Sequence, residues 1–572
     1  MSTKRHSDKG LEARAAVGVA AAAHQAEPTA KSMTGGQALV ECLKLQGVEV
    51  VFGLPGVQLD WAFNALYDAR DAIRVVHTRH EQAASYMADG YARTTGRVGA
   101  CLVVPGPGLL NAASGLSTAY ACSAPVLCIV GQIPSKYIGA GRGMLHEIPD
   151  QSAAARSVTK WTGQAARPED IPGVVRDAFR QLRSGHVRPV AIEIPQDVLQ
   201  ATGEVSLPPR VEVDRTAGDP DAVEAAAKML GRAERPLIFA GGGVLRSGAW
   251  ASLEALAEML QAPVIMSSNG RGALSDRHYL AQVMNAGEEL LPRADAVLVV
   301  GSRFLQPAFS TWKPRHDQPV IQIDIDPGEI GRNCPVAGGI VADAEWGLAE
   351  LLARVPRHNR SRASRRDESL AAKRAAAEVL SVLEPQASYG QAIRDALPDD
   401  AIVVSGITQL GYWIMFGAFP VYRPRTLITS GYQGTLGYEY GTALGAQVGA
   451  PAQRVVAVAG DGGFMYQVQE LATAVLHRIN AIAIVFNDNA FGNVRRMQEQ
   501  LYGGRVIASD LHNPDFVKLA ESFGVKGWRA EGPEGLRAQL SAALRDDAPA
   551  VIEVPVGEMP DPWSVIRRGY QP

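Results

Sequence analysis

Pro189-Val190-Ala191-Ile192-Glu193-Ile194-Pro195 and Pro549-Ala550-Val551-Ile552-Glu553-Val554-Pro555 are nearly the same phrase, met twice in one chain of 572 residues. Each is a short apolar run closed by proline, the pattern of a strand buried in a parallel sheet. Each follows a helical stretch, Val174 to Leu182 and Gly535 to Leu544. Far upstream stand two matching helix starts, Gly36-Gln37-Ala38-Leu39 and Gly390-Gln391-Ala392-Ile393. In the first, Ala38, Leu39, Cys42 and Leu43 fall on one face. The offsets agree, 390 − 36 = 354 against 549 − 189 = 360, and predict two similar α/β domains over 34–200 and 385–560.

A third unit, 215–350, lies between them. Its strands, Pro236 to Ala240, Ala296 to Val300 and Val320 to Ile325, each run into a turn: Gly241-Gly242-Gly243, Gly301-Ser302-Arg303 and Asp326-Pro327. Helices such as Ala251 to Leu260 alternate with them, which implies a parallel sheet covered by helices. The charged, Ala-rich run Arg354 to Leu380 reads as a solvated linker helix. The fold class is therefore α/β, three domains each with a mostly parallel sheet flanked by helices.

Bulk properties narrow the function classes. The chain is 47% hydrophobic and 20% charged with a net charge of −3, so no basic excess exists to neutralise a nucleic acid. No apolar run reaches the length of a membrane span. Five scattered cysteines form no C-x-x-C pair, which fits a reducing, cytoplasmic setting. Residues 1–33 read as a disordered tail; the apolar run Ala15 to Ala23 is short, and Asp8, Glu12 and Glu27 speak against an organelle presequence.

The chemistry concentrates in the last domain. A β-branched strand, Val455 to Val458, runs into Ala459-Gly460-Asp461-Gly462-Gly463; a helix follows, with Val468, Leu471, Ala472 and Val475 on one face. Next come the strand Ile482 to Phe486 and the turn Asn487-Asp488-Asn489. In a parallel sheet both turns sit at the carboxyl edge, where ligands bind. Gly460, Gly462 and Gly463 let backbone approach closely, and amides opening a helix suit a diphosphate. Asp461 and an oxygen of the second turn can share one hard cation such as Mg²⁺. Gly-Asp-Gly alone is also a common tight turn; the second turn, 487 − 461 = 26 residues on, gives it weight.

That pair of turns resembles the signature of thiamine diphosphate enzymes. The resemblance implies a duplicated thiamine diphosphate-binding fold with a Rossmann-like middle domain, and thiamine diphosphate with Mg²⁺ as cofactors. It implies Asp461, Asp488 and the carbonyl of Ala490 as metal ligands. Asp488 replaces an asparagine and adds a negative charge beside the diphosphate. The helix string Thr78-Arg79-His80-Glu81-Gln82-Ala83-Ala84 resembles the family's activating-glutamate helix. Glu81 would hydrogen-bond the pyrimidine ring of a cofactor held by a partner subunit, implying a homodimer or homotetramer with active sites at the interface. Gly431-Tyr432-Gln433-Gly434-Thr435-Leu436-Gly437 resembles the loop beneath the cofactor. Leu436 would force the bent conformer, and the Gly434 carbonyl would accept from the aminopyrimidine.

Further strings are similar to the acetolactate synthase-like group: Val51-Phe52-Gly53-Leu54-Pro55-Gly56, Pro105-Gly106-Pro107-Gly108 with Asn111, and Ile323-Asp324-Ile325-Asp326-Pro327. Acetolactate synthases hold a FAD in glycine-rich turns of the middle domain. Gly241-Gly242-Gly243 and Met284-Asn285-Ala286-Gly287 resemble those turns loosely, so FAD stays open as another cofactor. Three departures point away from branched-chain biosynthesis. Leu145-His146-Glu147 stands for Phe-Gln-Glu, Arg303-Phe304-Leu305-Gln306-Pro307 lacks the acceptor-binding arginine, and Met497 stands for a tryptophan. Histidine is the side chain best suited to proton transfer at neutral pH, so His146 could move a proton at the reacting carbon.

The expected function is a decarboxylase or carboligase of a 2-oxo acid. The alternatives are a 2-hydroxyketone lyase of the benzaldehyde lyase type and a non-catalytic, cofactor-binding regulatory subunit.

Overall fold

The computed structural model describes residues 30–304 and 314–566. Residues 1–29 of the expected tail lie outside the described residues, as do Leu305, Gln306 and Pro307. The strand Lys31–Thr34 begins inside the span expected as tail, residues 1–33, and pairs antiparallel with Thr202–Val205, tying together the two ends of the first domain. Thr34 then caps the helix Gly35–Leu45: its hydroxyl accepts from Gln37 N at 3.2 Å, and Gln37 Oε1 accepts from Thr34 N at 2.9 Å.

Three six-stranded parallel sheets follow. The first runs Arg74–His77, Val50–Gly53, Gly99–Val103, Val126–Gln132, Val190–Pro195 and Trp161–Gln164. The last runs Leu427–Ile428, Ile402–Ser405, Val455–Gly460, Ile482–Asn487, Ala550–Pro555 and Lys526–Arg529. Numbered by chain position within each sheet, both read 2-1-3-4-6-5. The two proline-closed strands Val190–Pro195 and Ala550–Pro555 occupy the same place in each, between the fourth and fifth strands. The middle sheet reads 3-2-1-4-5-6, a doubly wound order whose switch point lies between Pro236–Ala240 and Ala296–Val300.

First and last domains share one continuous core. The helix Glu81–Thr95 is buried at every residue from Ala83 to Ala92. Its outer face meets the helix Glu439–Gly449 at glycine contacts: a Cβ on Gly90 would strike the Thr442 carbonyl, and one on Gly445 the Met87 carbonyl. Tyr86, Met87 and Tyr91 pack in the same cluster as Tyr438, Tyr440 and Leu444. Smaller links flank the crossing. Arg79 N donates to both oxygens of Glu470 at 3.1 Å, and His77 N donates to His477 Nε2 at 3.2 Å.

Two local expectations change. The stretch Arg354 to Leu380 is a short turn, Val355–Arg357, and a separate helix, Arg366–Ser381. That helix is not solvated all round: Ala372 and Ala376 are buried on the middle domain, Gln282 Nε2 donates to the Ser369 carbonyl at 2.9 Å, and the Leu380 carbonyl accepts from Trp413 Nε1 of the last domain at 3.2 Å. The helix expected after Gly463 is broken into Asp461–Phe464, Val468–Glu470 and Leu471–His477. The breaks rotate Val475 outward to 39% exposure and turn Glu470, Thr473 and Ala474 inward. Among the described residues no helix is long and apolar enough to cross a membrane.

Because backbone meets backbone where these helices cross, a larger side chain there has nowhere to go. Gly445→Val should cost about 3 kcal/mol or more in urea unfolding, with first and last domains losing structure in one transition.

Candidate active site

In the last sheet Gly460 pairs with Phe486, so the turns that follow these two strands are neighbours at the carboxyl edge. Asp461 opens its short helix and is 2% exposed. Its Oδ1 accepts from Gly462 N at 2.8 Å, and its Oδ2 from Asn513 Nδ2 at 2.6 Å. The same Asn513 amide donates to Asn487 Oδ1 at 3.0 Å and to Asn489 Oδ1 at 3.4 Å. In the second turn, Asp488 Oδ1 accepts from Ala490 N at 3.2 Å. Burial raises the Asp461 carboxyl above its ordinary range. The Asp488 carboxyl is pushed up to about 6, first by burial and then by the charge on Asp461. Two carboxylates held this way resist ionising together, and a divalent cation between them relieves both. Their donor set, all oxygen, suits Mg²⁺.

Asn513 is the residue the sequence did not announce. It lies 52 positions beyond Asp461, and Asn513-Pro514 looks like an ordinary turn. Glu439 was missed too. Its carboxyl packs behind the first turn against Gly406 and Gly463, with Oε2 unpartnered, and burial pushes it up to about 7.

The loop Gly431 to Gly437 stands beside this edge. Gly434 has a left-handed φ of +61° with open space where a side chain would go. Leu436 is half-buried, so core packing does not account for it fully. Thr435 anchors the loop to the first domain through Thr118, hydroxyl to hydroxyl at 2.9 Å. The Arg303 guanidinium covers the Tyr432 ring at 4.5 Å.

Glu81 is the first residue of its helix, beside the helix-capping His80. Its Oε2 accepts from Asn111 Nδ2 at 3.0 Å. His146 lies in a loop pressed against Gly106, with φ +70°, and its Nδ1 is buried without a partner. A histidine in that backbone region is strained, which is the kind of signal that marks functional positions. Both Glu147 oxygens are spent on backbone, at Gly141 N and Met144 N.

The residues thus form two groups. Glu81, Asn111 and His146 stand on the first domain; Gly434, Leu436, Asp461, Asp488 and Ala490 stand on the last. Among the described residues no hydrogen bond or ion pair joins Glu81 to the second group. Leu145 and Met497, expected around the substrate, are 62% and 41% exposed. A cavity of about 1260 Å³ opens between all three domains and reaches the Gly431 to Gly437 loop, with Gly242, Gly243, Asn285, Gly301, Tyr432 and Gly434 on its walls.

Three family models match this chain. The thiamine pyrophosphate enzyme N-terminal TPP binding domain covers residues 33–154, the central domain 223–351, and the C-terminal TPP binding domain 406–554. A Methanocaldococcus jannaschii protein described as a probable acetolactate synthase large subunit is 33% identical over 91% of this chain and 92% of its own length. A Pseudomonas aeruginosa protein described as probable 2-ketoarginine decarboxylase AruI is 36% identical over 92% and 94%. The acetolactate synthase of Mycobacterium bovis is 33% identical over 94% and 90%.

Asn513 orients Asp461 through a hydrogen bond, and such partners typically carry 10–100-fold in metal affinity. Asn513→Ala should raise the Kd for Mg²⁺ about 10–100-fold in a titration followed by cofactor fluorescence quenching. Glu439 keeps its proton in the fold up to about pH 7, whereas an unfolded glutamate releases it near its ordinary value. The fold therefore loses stability as pH rises through that interval. Glu439→Gln removes the loss, so its gain in Tm over the parent should be larger at about pH 8 than at about pH 5 by calorimetry.

Proposed function

The chain belongs to the thiamine pyrophosphate enzymes, and from that premise we propose a thiamine diphosphate- and Mg²⁺-dependent decarboxylase or carboligase of a 2-oxo acid. The observation that carries the cofactor assignment is the pair Asp461 and Asp488, with Asn513 tying Asp461 to Asn487 and Asn489 on either side of Asp488, beside a helix start built on Gly462 and Gly463. When bound, thiamine diphosphate supplies the nucleophilic carbon that adds to the 2-oxo group and the electron sink that lets carbon dioxide leave.

This chain's residues then have distinct tasks. Asp461, Asp488 and the Ala490 carbonyl would hold the metal, and the Gly462 and Gly463 amides would be available to the diphosphate. The Gly434 carbonyl and the Leu436 side chain would hold the cofactor's bent shape. Glu81, fixed by Asn111, would hold a proton for the aminopyrimidine. His146, its Nδ1 unspent, would move a proton at the reacting carbon.

In the family's arrangement the activating glutamate serves a cofactor held by a partner's last domain, which would make the enzyme a homodimer or a higher homo-oligomer with sites at the interface. The exposed apolar side chains around the helix Gly492–Leu501, namely Val494, Met497, Leu501, Tyr502 and Ile507, support a covered face there. The relatives' names divide between carboligation and decarboxylation. His146 favours protonation, hence an aldehyde product, over attack on a second keto acid.

The cavity between the domains supports FAD as a further ligand. It opens at the switch point of the middle sheet, and the glycine turns singled out in the sequence line it. Arg246 on its wall lies beside Arg93 and Arg425, with Asp89 as the opposing charge, an electrostatic setting for a dinucleotide's diphosphate. Flavin absorption of the purified protein decides it.

Product analysis with thiamine diphosphate, Mg²⁺ and a panel from pyruvate to 2-ketoarginine tests the main reading. The expected result is carbon dioxide release with an aldehyde or a hydroxyketone; absence of cofactor binding sinks it. Glu81→Gln should cut turnover about 10²–10⁴-fold while sparing thiamine diphosphate affinity, and His146→Ala should reduce product formation with the same affinity retained. Unchanged turnover would remove either residue from the mechanism.

A further inference from the structure

Away from the thiamine site, His186, Asp326 and Glu329 meet where first and middle domains touch. His186 lies between the helix Ile171–Arg183 and the strand Val190–Pro195; the two carboxylates follow the carboxyl end of Val320–Asp324. One ligand-type atom from each residue lies within 4.8 Å of the other two. His186 Nδ1 is 3.1 Å from Asp326 Oδ2, and its Nε2 is 3.0 Å from Ser123 Oγ.

Two ordinary accounts fall short. Ser123, His186 and Asp326 stand in the order of an acyl-transfer relay, but the backbone amides at the Ser123 hydroxyl are not free to hold an oxyanion, and Arg188 nearby is bonded to the Tyr120 carbonyl. Ser123 N is spent on the Tyr120 carbonyl at 3.3 Å and Ala124 N on Ala119 at 2.9 Å. The hydroxyl also sits just past the carboxyl end of the helix Pro107–Ala121, where the dipole repels negative charge. A plain His186–Asp326 ion pair leaves Glu329 unexplained. That residue is 3% exposed, its Oε2 has no hydrogen-bond partner, and Arg332 reaches only Oε1, at 3.1 Å. A buried carboxylate oxygen without a partner is costly.

We infer that His186, Asp326 and Glu329 bind one divalent transition metal of the zinc class through one nitrogen and two oxygens. Ligands about 2.0–2.2 Å from one ion sit roughly 3–3.5 Å from each other, and the His186–Asp326 spacing has that length. With Nδ1 on the metal, Nε2–H donates to Ser123 Oγ and fixes the ring, the usual arrangement behind a ligating histidine. Asp326 Oδ1 is held by Gly328 N at 2.9 Å, which orients its other oxygen. Imidazole in the set favours Zn²⁺ over Mg²⁺ or Ca²⁺. The ion would clamp first and middle domains together, independently of the thiamine reading.

The test is equilibrium dialysis of the full chain against Zn²⁺, with thiamine diphosphate and excess Mg²⁺ present, read by metal analysis. One zinc per chain that Mg²⁺ does not displace is expected. His186→Gln and Glu329→Gln should each weaken zinc binding at least about 10-fold, and Asp461→Asn should not. Co²⁺ in the parent should show visible absorption of a low-coordinate ion that His186→Gln abolishes. If Glu329→Gln does not fold, His186→Gln, on a partly exposed loop, carries the comparison. Equal zinc binding by His186→Gln and the parent, or no zinc retained against Mg²⁺, overturns the assignment.

Discussion

Everything at the candidate site depends on the backbone contact between the helices Glu81–Thr95 and Glu439–Gly449. Glycine on each side lets the two axes come close enough for aromatic side chains from both domains to interlock around the crossing. One helix begins with Glu81, and the other begins two residues after the loop that carries Gly434 and Leu436. A single packing interaction thus sets where both groups of reactive residues stand. Dispersion and burial supply most of it, with hydrogen bonds such as Arg79 to Glu470 and Arg93 to the Thr429 carbonyl at its flanks.

Electrostatics divides the labour differently. Asp461 and Asp488 are costly neighbours in the protein by itself, and Glu439 behind them is a third carboxyl in poorly solvated surroundings. Asn513 spends its amide on three acceptors to hold the corner in shape. The corner is therefore built for an added positive charge, and its cost is recovered when that charge arrives. The first domain shows the complementary strategy: Glu81 is singly bonded and His146 keeps one nitrogen unspent, so both retain capacity for a ligand.

The duplication was legible because a buried strand leaves a strong, short pattern, and the phrases around Ile192 and Ile552 fall at equivalent places in two sheets of identical order. The two turns at Asp461 and Asp488 were legible because adjacent strands put sequence-distant turns side by side. Asn513 was not, because a long-range side-chain bond leaves no periodic trace. The left-handed backbone of His146 was hidden for a related reason: it comes from the packing of its loop against Gly106, a long-range contact with no local pattern. Val475 was misplaced because the helical period was carried across breaks that only the structure reveals.

The helix Glu81–Thr95 also constrains the order in which the protein can be made. Its outer face is covered by residues up to Gly449, 449 − 95 = 354 positions later. At roughly 5–20 residues per second a ribosome needs roughly 20–70 s to deliver that cover. Throughout that time a finished first domain presents an uncovered apolar helix face, with the middle domain folding beside it. A chain organised this way closes its core across its own ends last, and its nascent form is a client for holding factors until the final domain emerges.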